Sequence, residues 1–242
     1  MTETLSLRYQ PIVSATSGRL LAAEALLRAH GEVTAPLRLL ERAVEDGTAE
    51  LLDRSIVERS CTQIAAWDSV GLCLPVHINL SAETAVSSDP NAFVHWLTAL
   101  VPSRSSVVIE VTETTRVRAI GALVTFVSTC REAGFEVAID DFGCGYSTMA
   151  LLQRVRADIV KIDRRFVALL EEDAWTRTIV KHLIALAHDL DMRVIGEGIE
   201  TAEQAAWLRR LGCDELQGYA ISYPLTGDEI TTWAAGRMQQ PG

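Results

Sequence analysis

Short runs rich in Val, Ile and Leu alternate along this chain with longer amphipathic segments, and that alternation restricts the fold more than any other feature. The runs predict strands at 6–13, 20–27, 74–80, 106–111, 136–140, 158–162, 193–197 and 214–218. Amphipathic spacing predicts helices at 36–46, 48–69, 91–100, 116–133, 174–190 and 201–211. Strands alternating with helices form a parallel sheet, because each crossover packs its helix against the sheet. Eight such strands suffice to close a TIM-like barrel. The first two are the exception. Ala15-Thr16-Ser17-Gly18 and their neighbours are too few for a helical crossover, so this pair is expected to be an antiparallel hairpin. The expected fold class is α/β, a modified TIM-like barrel with an antiparallel first strand. With no Pro/Gly/Ser linker to divide it, 1–242 is expected to be a single domain.

Helix punctuation agrees. Gly134 and Gly212 stand where C-terminal caps belong, and Thr201-Ala202-Glu203-Gln204 has the form of a capping box. With 48% hydrophobic residues in 242, the chain can build one large core. A net charge of −10 excludes long duplex nucleic acid as a partner, since that needs a basic surface. A small anionic ligand fits where metals or local arginines reverse the field. Five widely spaced cysteines (Cys61, Cys73, Cys130, Cys144, Cys213) include no Cys-x-x-Cys pair. That disfavours a disulfide framework or zinc ribbon and leads us to expect a cytoplasmic protein. No secretory signal and no run near the roughly 20 apolar residues of a membrane span are visible, so no membrane association is expected.

Polar residues that can do chemistry sit at or near the ends of the apolar runs: Glu24, Asn79, Glu110, Asp140, Asp141, Lys161, Glu197 and Gln217. In a parallel barrel the carboxyl ends of the strands open onto one face, so these residues converge there. A ring of buried carboxylates is strongly repulsive without cations. Glu24, Asn79, Glu110, Asp140, Asp141 and Glu197 offer oxygen alone, which selects Mg²⁺, Mn²⁺ or Ca²⁺ over zinc. Six ligands exceed what one Mg²⁺ takes from protein. Two ions sharing an aspartate, about 3.5–4 Å apart, would use them all and suit in-line attack on a phosphate ester.

Lys161, one of two lysines among 22 basic residues, shares strand parity with Asp163. A compact ammonium fits beside a water or phosphoryl oxygen where a planar guanidinium does not. Alone it could instead pair with Glu200 or form a Schiff base; the surrounding acids disfavour the latter by keeping it protonated. Asp140 and Asp141 cannot both face inward on a straight strand, so a bend at Gly143-Cys144-Gly145 is expected. His77 shares parity with Asn79 and is expected to be a neutral, hydrogen-bonded core residue. Trp67, Trp96, Trp175 and Trp207 fall in helical segments and are expected to pack. A carboxylate-pair glycosidase fits poorly with 6% aromatic content and a lysine among the acids.

These residues together resemble the EAL-domain family of bacterial cyclic di-GMP phosphodiesterases. The resemblance runs through Tyr9-Gln10-Pro11-Ile12-Val13, Glu24-Ala25-Leu26-Leu27-Arg28, Asn79-Leu80-Ser81 and Glu110-Val111-Thr112-Glu113. It continues in Asp140-Asp141-Phe142-Gly143, Lys161-Ile162-Asp163, Glu197-Gly198-Ile199-Glu200 and Gln217-Gly218-Tyr219. It implies a modified TIM barrel, a homodimer, two Mg²⁺ or Mn²⁺ ions, and hydrolysis of cyclic di-GMP to linear pGpG by a metal-activated water. By matching motif, Glu24, Asn79, Glu110 and Asp140 hold the first metal, and Asp140, Asp141 and Glu197 the second. Lys161 orients or activates the water, with Glu197 the other candidate for proton handling. Glu113 braces the Asp140-Asp141 loop, and Glu200 and Gln217 complete the pocket, with Asp163 in support. Arg28 meets a phosphate or guanine, and Gln10 is a second substrate candidate.

The chain departs from the family pattern at Cys144, commonly Thr, and at Tyr223, commonly Arg. It departs again after Arg28, where Ala29-His30-Gly31 and Leu39–Val44 replace an aromatic residue and a Phe-Ile-Pro-x-Ala-Glu stretch. A redox role for Cys144 is disfavoured, because nearby carboxylates suppress its thiolate. The alternative function is a catalytically silent module that binds cyclic di-GMP or a protein. A regulatory protein partner is expected in either case.

Overall fold

A computed structural model describes residues 5–29, 35–87, 89–112, 120–143 and 152–238. Its strands are β1 (Leu5–Ser14), β2 (Leu20–Ala29), β3 (Val76–Leu80), β4 (Val107–Thr112), β5 (Glu136–Phe142), β6 (Ile159–Ile162), β7 (Arg193–Gly196) and β8 (Glu215–Leu216). They close a barrel in sequence order. β1 runs antiparallel to both of its neighbours, β2 and β8, and the other neighbouring pairs are parallel. The expected barrel and its reversed first strand are therefore present.

The described helices are α1 (Ala35–Glu45), α2 (Ala49–Ser69), α3 (Ala82–Ser87), α4 (Pro90–Leu100), α5 (Ile120–Glu132), α6 (Arg164–Ala168), α7 (Ala174–Asp189), α8 (Ala202–Leu211) and α9 (Gly227–Met238). The Thr201 hydroxyl accepts the Gln204 N–H while the Gln204 side chain accepts the Thr201 N–H, and Gly212 ends α8 in a left-handed turn. The capping box and the cap are as read from sequence. Three helices, α3, α6 and α9, were not anticipated. Residues 116–119 of the helix expected at 116–133 lie outside the described residues.

The barrel interior is built in storeys because side chains alternate along each strand. Ile12, Ala22, Val108, Ala138, Ile159 and Ile195 form an apolar cluster of their own inside the barrel. Two residues further on, the parallel strands carry Glu24, Glu110, Asp140, Lys161 and Glu197. β1 runs the other way, so its polar partner to Ile12 is Gln10, two residues earlier. His77 and Glu215 occupy the floor-level positions of β3 and β8, with Asn79 and Gln217 two residues beyond them. The floor closes the site from below, and each buried Ile contributes about 1.5–3 kcal/mol to holding it there. Outside the barrel, Val160 and Ile162 face a larger core completed by Ile64, Trp67, Phe93, Phe126 and Leu208.

Trp175 corrects an expectation. Helical spacing predicts a packing residue, yet Trp175 is 81% exposed on α7, whereas Trp67 is buried and donates its indole N–H to the Gly227 carbonyl at 3.0 Å. The inward stripe of α7 is Thr176, Val180, Ile184 and Ala187. Trp175 lies beside that stripe, a difference of one position that helical spacing alone does not decide.

Candidate metal and active site at the mouth of the barrel

Lys161 stands at the centre of the polar storey, wholly buried. Its ammonium lies 2.6 Å from Glu197 Oε1, 2.8 Å from Glu110 Oε2, 3.4 Å from Glu24 Oε2 and 3.5 Å from Asp140 Oδ1. Burial alone would strip its proton, but the negative charges of Glu110, Glu197, Glu24 and Asp140 outweigh burial and hold its pKa well above the usual lysine range. The suggested pairing with Glu200 is thus replaced by four carboxylates from strands β2, β4 and β5 and the end of β7. Schiff-base chemistry is opposed by the same charges.

Those carboxylates cannot all be satisfied by one ammonium. Burial pushes Glu110 and Glu197 well above the usual carboxylate range; Lys161 pulls them back, and neighbouring acids add to the rise. Glu110 is fixed on both oxygens, since Lys161 donates to Oε2 at 2.8 Å and Oε1 shares a hydrogen bond with His77 Nδ1 at 2.7 Å. His77 is buried and its pKa is lowered to about 4, first by burial and then by the Lys161 charge. It is therefore neutral, as expected from sequence.

Asp140 and Asp141 reach the same cavity by a device that the sequence reading placed too late. The register of β5 against β6 slips between Ile139 and Phe142, and Asp141 has a left-handed φ of 54°. The bend is at Asp141 itself, a β-bulge that re-aims one side chain. Residues 144 and 145 of the expected turn lie outside the described residues. Asp140 Oδ1 accepts the Asp141 N–H at 2.9 Å. Burial, the charge of Asp140 and a hydrogen bond with Asp163 raise the Asp141 carboxyl to about 6. The rise marks crowding of like charges at this end of β5, a place where a cation would serve.

Oxygens of Asp140, Asp141 and Glu197 all lie within 4.8 Å of one another, close enough to hold one ion. The other proposed ligands are arranged differently. Asn79 Nδ2 donates to Glu24 Oε1 at 2.6 Å, and Gln217 Nε2 donates to Glu24 Oε2 at 2.6 Å and to Gln10 Oε1 at 3.2 Å. Gln217 Oε1 is buried with no hydrogen-bond partner. An oxygen-only donor set, carboxyls crowded within 4.8 Å of one another and an orphaned amide oxygen fit hard divalent cations.

The remaining predicted residues fall on the rim or apart. Gln10 also donates to the Ser222 carbonyl at 3.1 Å. Asp163 is buried and caps α6, accepting the Arg165 N–H at 2.8 Å. Glu200 is exposed at the rim of the cavity. Arg28 lies outside the acidic cavity; it lines a groove of about 770 Å³ between β2, α1, α2 and the end of β3, and donates to the Leu27 carbonyl at 2.8 Å. Glu113 and Cys144 lie outside the described residues. The acidic cavity itself measures about 240 Å³ and is also lined by Arg164, Gly198 and Tyr219, to which sequence reasoning gave no role. Their signal was position: Arg164 and Gly198 adjoin Asp163 and Glu197, and Tyr219 closes the Gln-Gly-Tyr motif.

Comparison with known proteins agrees with this geometry. The model of the EAL domain matches residues 2–224. MucR of Pseudomonas aeruginosa, described as a bifunctional diguanylate cyclase/cyclic di-GMP phosphodiesterase, is 34% identical over 93% of the chain and 34% of its own length. PdeB of Escherichia coli, a probable cyclic di-GMP phosphodiesterase by description, is 31% identical over 95% of the chain and 44% of its own length. The solved PaMucR phosphodiesterase, in its c-di-GMP complex, superposes with a TM-score of 0.84 at 31% identity, covering 93% of this chain and 94% of that one. The chain spans about a third of the length of the first curated relatives it matches. Among the described residues no helix is long and apolar enough to cross a membrane.

Proposed function

The chain belongs to the EAL-domain family, and from that premise we propose that it hydrolyses one phosphodiester bond of cyclic di-GMP, giving linear pGpG, with two Mg²⁺ or Mn²⁺ ions. The observation that carries the reading is the buried ammonium of Lys161 inside a ring of carboxylates at the mouth of the barrel. Asp140, Asp141 and Glu197 would hold one cation; Glu24, Asn79, Glu110 and the shared Asp140 would hold the other. Bound there, the cations would lower the pKa of a water and offset the charge of the diester.

The protein's own groups divide the remaining work. Lys161 keeps its proton at neutral pH, so it orients oxygen by donating from Nζ and does not act as a base. Glu197, whose Oε1 lies 2.6 Å from that ammonium, is proposed as the carboxylate that handles the proton. His77 and Lys161 together hold the Glu110 carboxylate in one orientation. Buried Ile12, Ala22, Val108, Ala138, Ile159 and Ile195 lie beneath these charges, which therefore interact through a low-dielectric interior. Arg28 and Gln10 are proposed to contact substrate, Gln217 to complete the pocket, and Glu113, Asp163 and Glu200 to support it. A homodimer under the control of a regulatory partner completes the proposal.

The test is direct. Purified protein is incubated with cyclic di-GMP in Mg²⁺, Mn²⁺ or EDTA and the nucleotides are resolved. Linear pGpG is expected with either metal and is abolished by EDTA. Binding of cyclic di-GMP without product would assign the chain to silent binding modules, and product formation unaffected by EDTA would overturn the metal reading.

A further inference from the structure

The acidic cavity accommodates only part of the ligand proposed for the site. At about 240 Å³ it falls below the 300–1,000 Å³ typical of sites that enclose a drug-sized molecule. A cyclic dinucleotide can place a phosphodiester there, but its bases must lie on the surfaces around the mouth. One such surface is the groove beside Arg28. Another stands beyond β8, on the far side of β1 and β2 from that groove.

There the rings of Tyr219 and Tyr223 stack on each other, with centroids 4.5 Å apart and planes 28° from parallel. Both are open to solvent, Tyr219 at 53% and Tyr223 at 67% exposure, and Tyr219 also lines the cavity. Exposed aromatic rings on a mobile loop would mean little, but the backbone beneath these is tied on every side. Gly218 lies against the Ile199 backbone so closely that an added Cβ would stand 2.1 Å from the Ile199 nitrogen. The N–H groups of Ile221 and Ser222 donate to the Gly218 carbonyl at 2.9 and 3.0 Å, and that of Ala220 donates to the Ile199 carbonyl at 2.9 Å. Gln10, which is bonded to Gln217 in the site, holds the Ser222 carbonyl, and Tyr9 and Leu225 exchange backbone hydrogen bonds at 2.7 and 2.9 Å. The rings are therefore presented on a pre-formed scaffold, which removes the ordering cost of binding.

Resting on the reading of the site given above, we infer that Tyr219 and Tyr223 form a stacking platform for one purine base of the ligand, outside the cavity that takes its phosphodiester. A rigid ring with an open face suits a flat heteroaromatic base, and such stacking tolerates any base because each has a π-face. The platform thus adds affinity for nucleobase-bearing diesters without touching the reacting phosphate.

The experiment compares wild type with Tyr219→Ala, Tyr223→Ala and Tyr223→Phe. Equilibrium binding is measured with a non-hydrolysable phosphorothioate analogue of cyclic di-GMP. Turnover is measured on cyclic di-GMP and on bis(p-nitrophenyl) phosphate, a diester without a nucleobase. The expected result is a rise in Kd of about 5- to 100-fold for Tyr219→Ala, a smaller rise for Tyr223→Ala, and retention of affinity in Tyr223→Phe, which keeps the ring. The preference for cyclic di-GMP over bis(p-nitrophenyl) phosphate should fall in step with the Kd. Unchanged affinity in both alanine variants would overturn the platform while leaving the phosphodiesterase reading intact. An equal loss on both diesters would overturn it too, by showing that the rings support the metal site. Failure of wild type to bind the analogue at all would sink the reading of the site, and the platform with it.

Discussion

The two ends of the barrel treat charge in opposite ways. At the amino-terminal end acids have partners: Arg193 bridges Glu136 at 3.0 Å and Glu215 at 3.7 Å, Arg131 meets Asp158 at 2.9 Å, and Asp214 shares a hydrogen bond with His188 Nε2 at 2.9 Å. Two of these carboxylates also accept backbone N–H groups at the starts of strands, Asp158 from Val137 at 3.0 Å and Asp214 from Val194 at 2.8 Å. At the mouth, Glu24, Glu110, Asp140, Asp141 and Glu197 surround the ammonium of Lys161, with Arg164 on the rim. The matched end stabilises the fold. The mouth gathers like charges around one ammonium, and on the reading proposed above divalent cations would relieve their repulsion.

Substitutions at the two ends should separate activity from stability. The largest effect is expected for Glu24→Ala, which removes a proposed metal ligand and an acceptor for Asn79 and Gln217. Hydrolysis of cyclic di-GMP should fall about a thousandfold or more, since a metal contributes several kcal/mol. Undiminished turnover with Mg²⁺ supplied would break the comparison at its strongest point. At the other end, Arg193→Met leaves Glu215 buried without its cation. Denaturant unfolding should show a loss of about 2 kcal/mol, with kcat near wild type; a large drop in kcat without destabilisation would contradict the division.

His77 lies between the two regimes, on the floor but bonded to the site. Its pKa is lowered from 6.5 to about 4, so the folded state disfavours its proton. The stability this represents is complete above pH 6.5 and is lost as pH falls toward 4, amounting to about 3 kcal/mol. His77→Asn should remove that part of the acid sensitivity while keeping an N–H donor for Glu110; His77→Leu should in addition weaken metal binding by about 10- to 100-fold. Identical pH–stability curves for wild type and His77→Asn would refute the assignment. The smallest effect is expected at exposed Trp175, where replacement by Ser should change stability by less than about 0.5 kcal/mol.

What could be read from the sequence follows the same contrast. Strands buried on both faces read as near-continuous apolar runs, so Val107–Glu110 and Ile159–Ile162 were legible, and so were the charges that terminate them. The chemistry of the ring was legible because oxygen donors at strand ends have few other reasons to be gathered. The bulge at Asp141 was not, because it depends on one left-handed residue and its partner strand. Nor was the turning of Asn79 toward Glu24, or the placing of Arg28 in a separate groove, since side-chain direction is fixed by neighbours from distant segments. The short helix Arg164–Ala168 was hidden behind Asp163, which reads equally as a strand end and as the helix cap that it is.

The central claim is that the mouth carries charge held in reserve for cations. It is tested most directly by thermal unfolding of wild type and Asp141→Asn, each in EDTA and in Mn²⁺. Asp141→Asn should unfold above wild type in EDTA by about 2–4 °C, because one repelling carboxylate is gone, while Mn²⁺ should raise the midpoint of wild type more than that of the variant. A wild-type midpoint unmoved by Mn²⁺, together with a variant less stable than wild type in EDTA, would contradict the account.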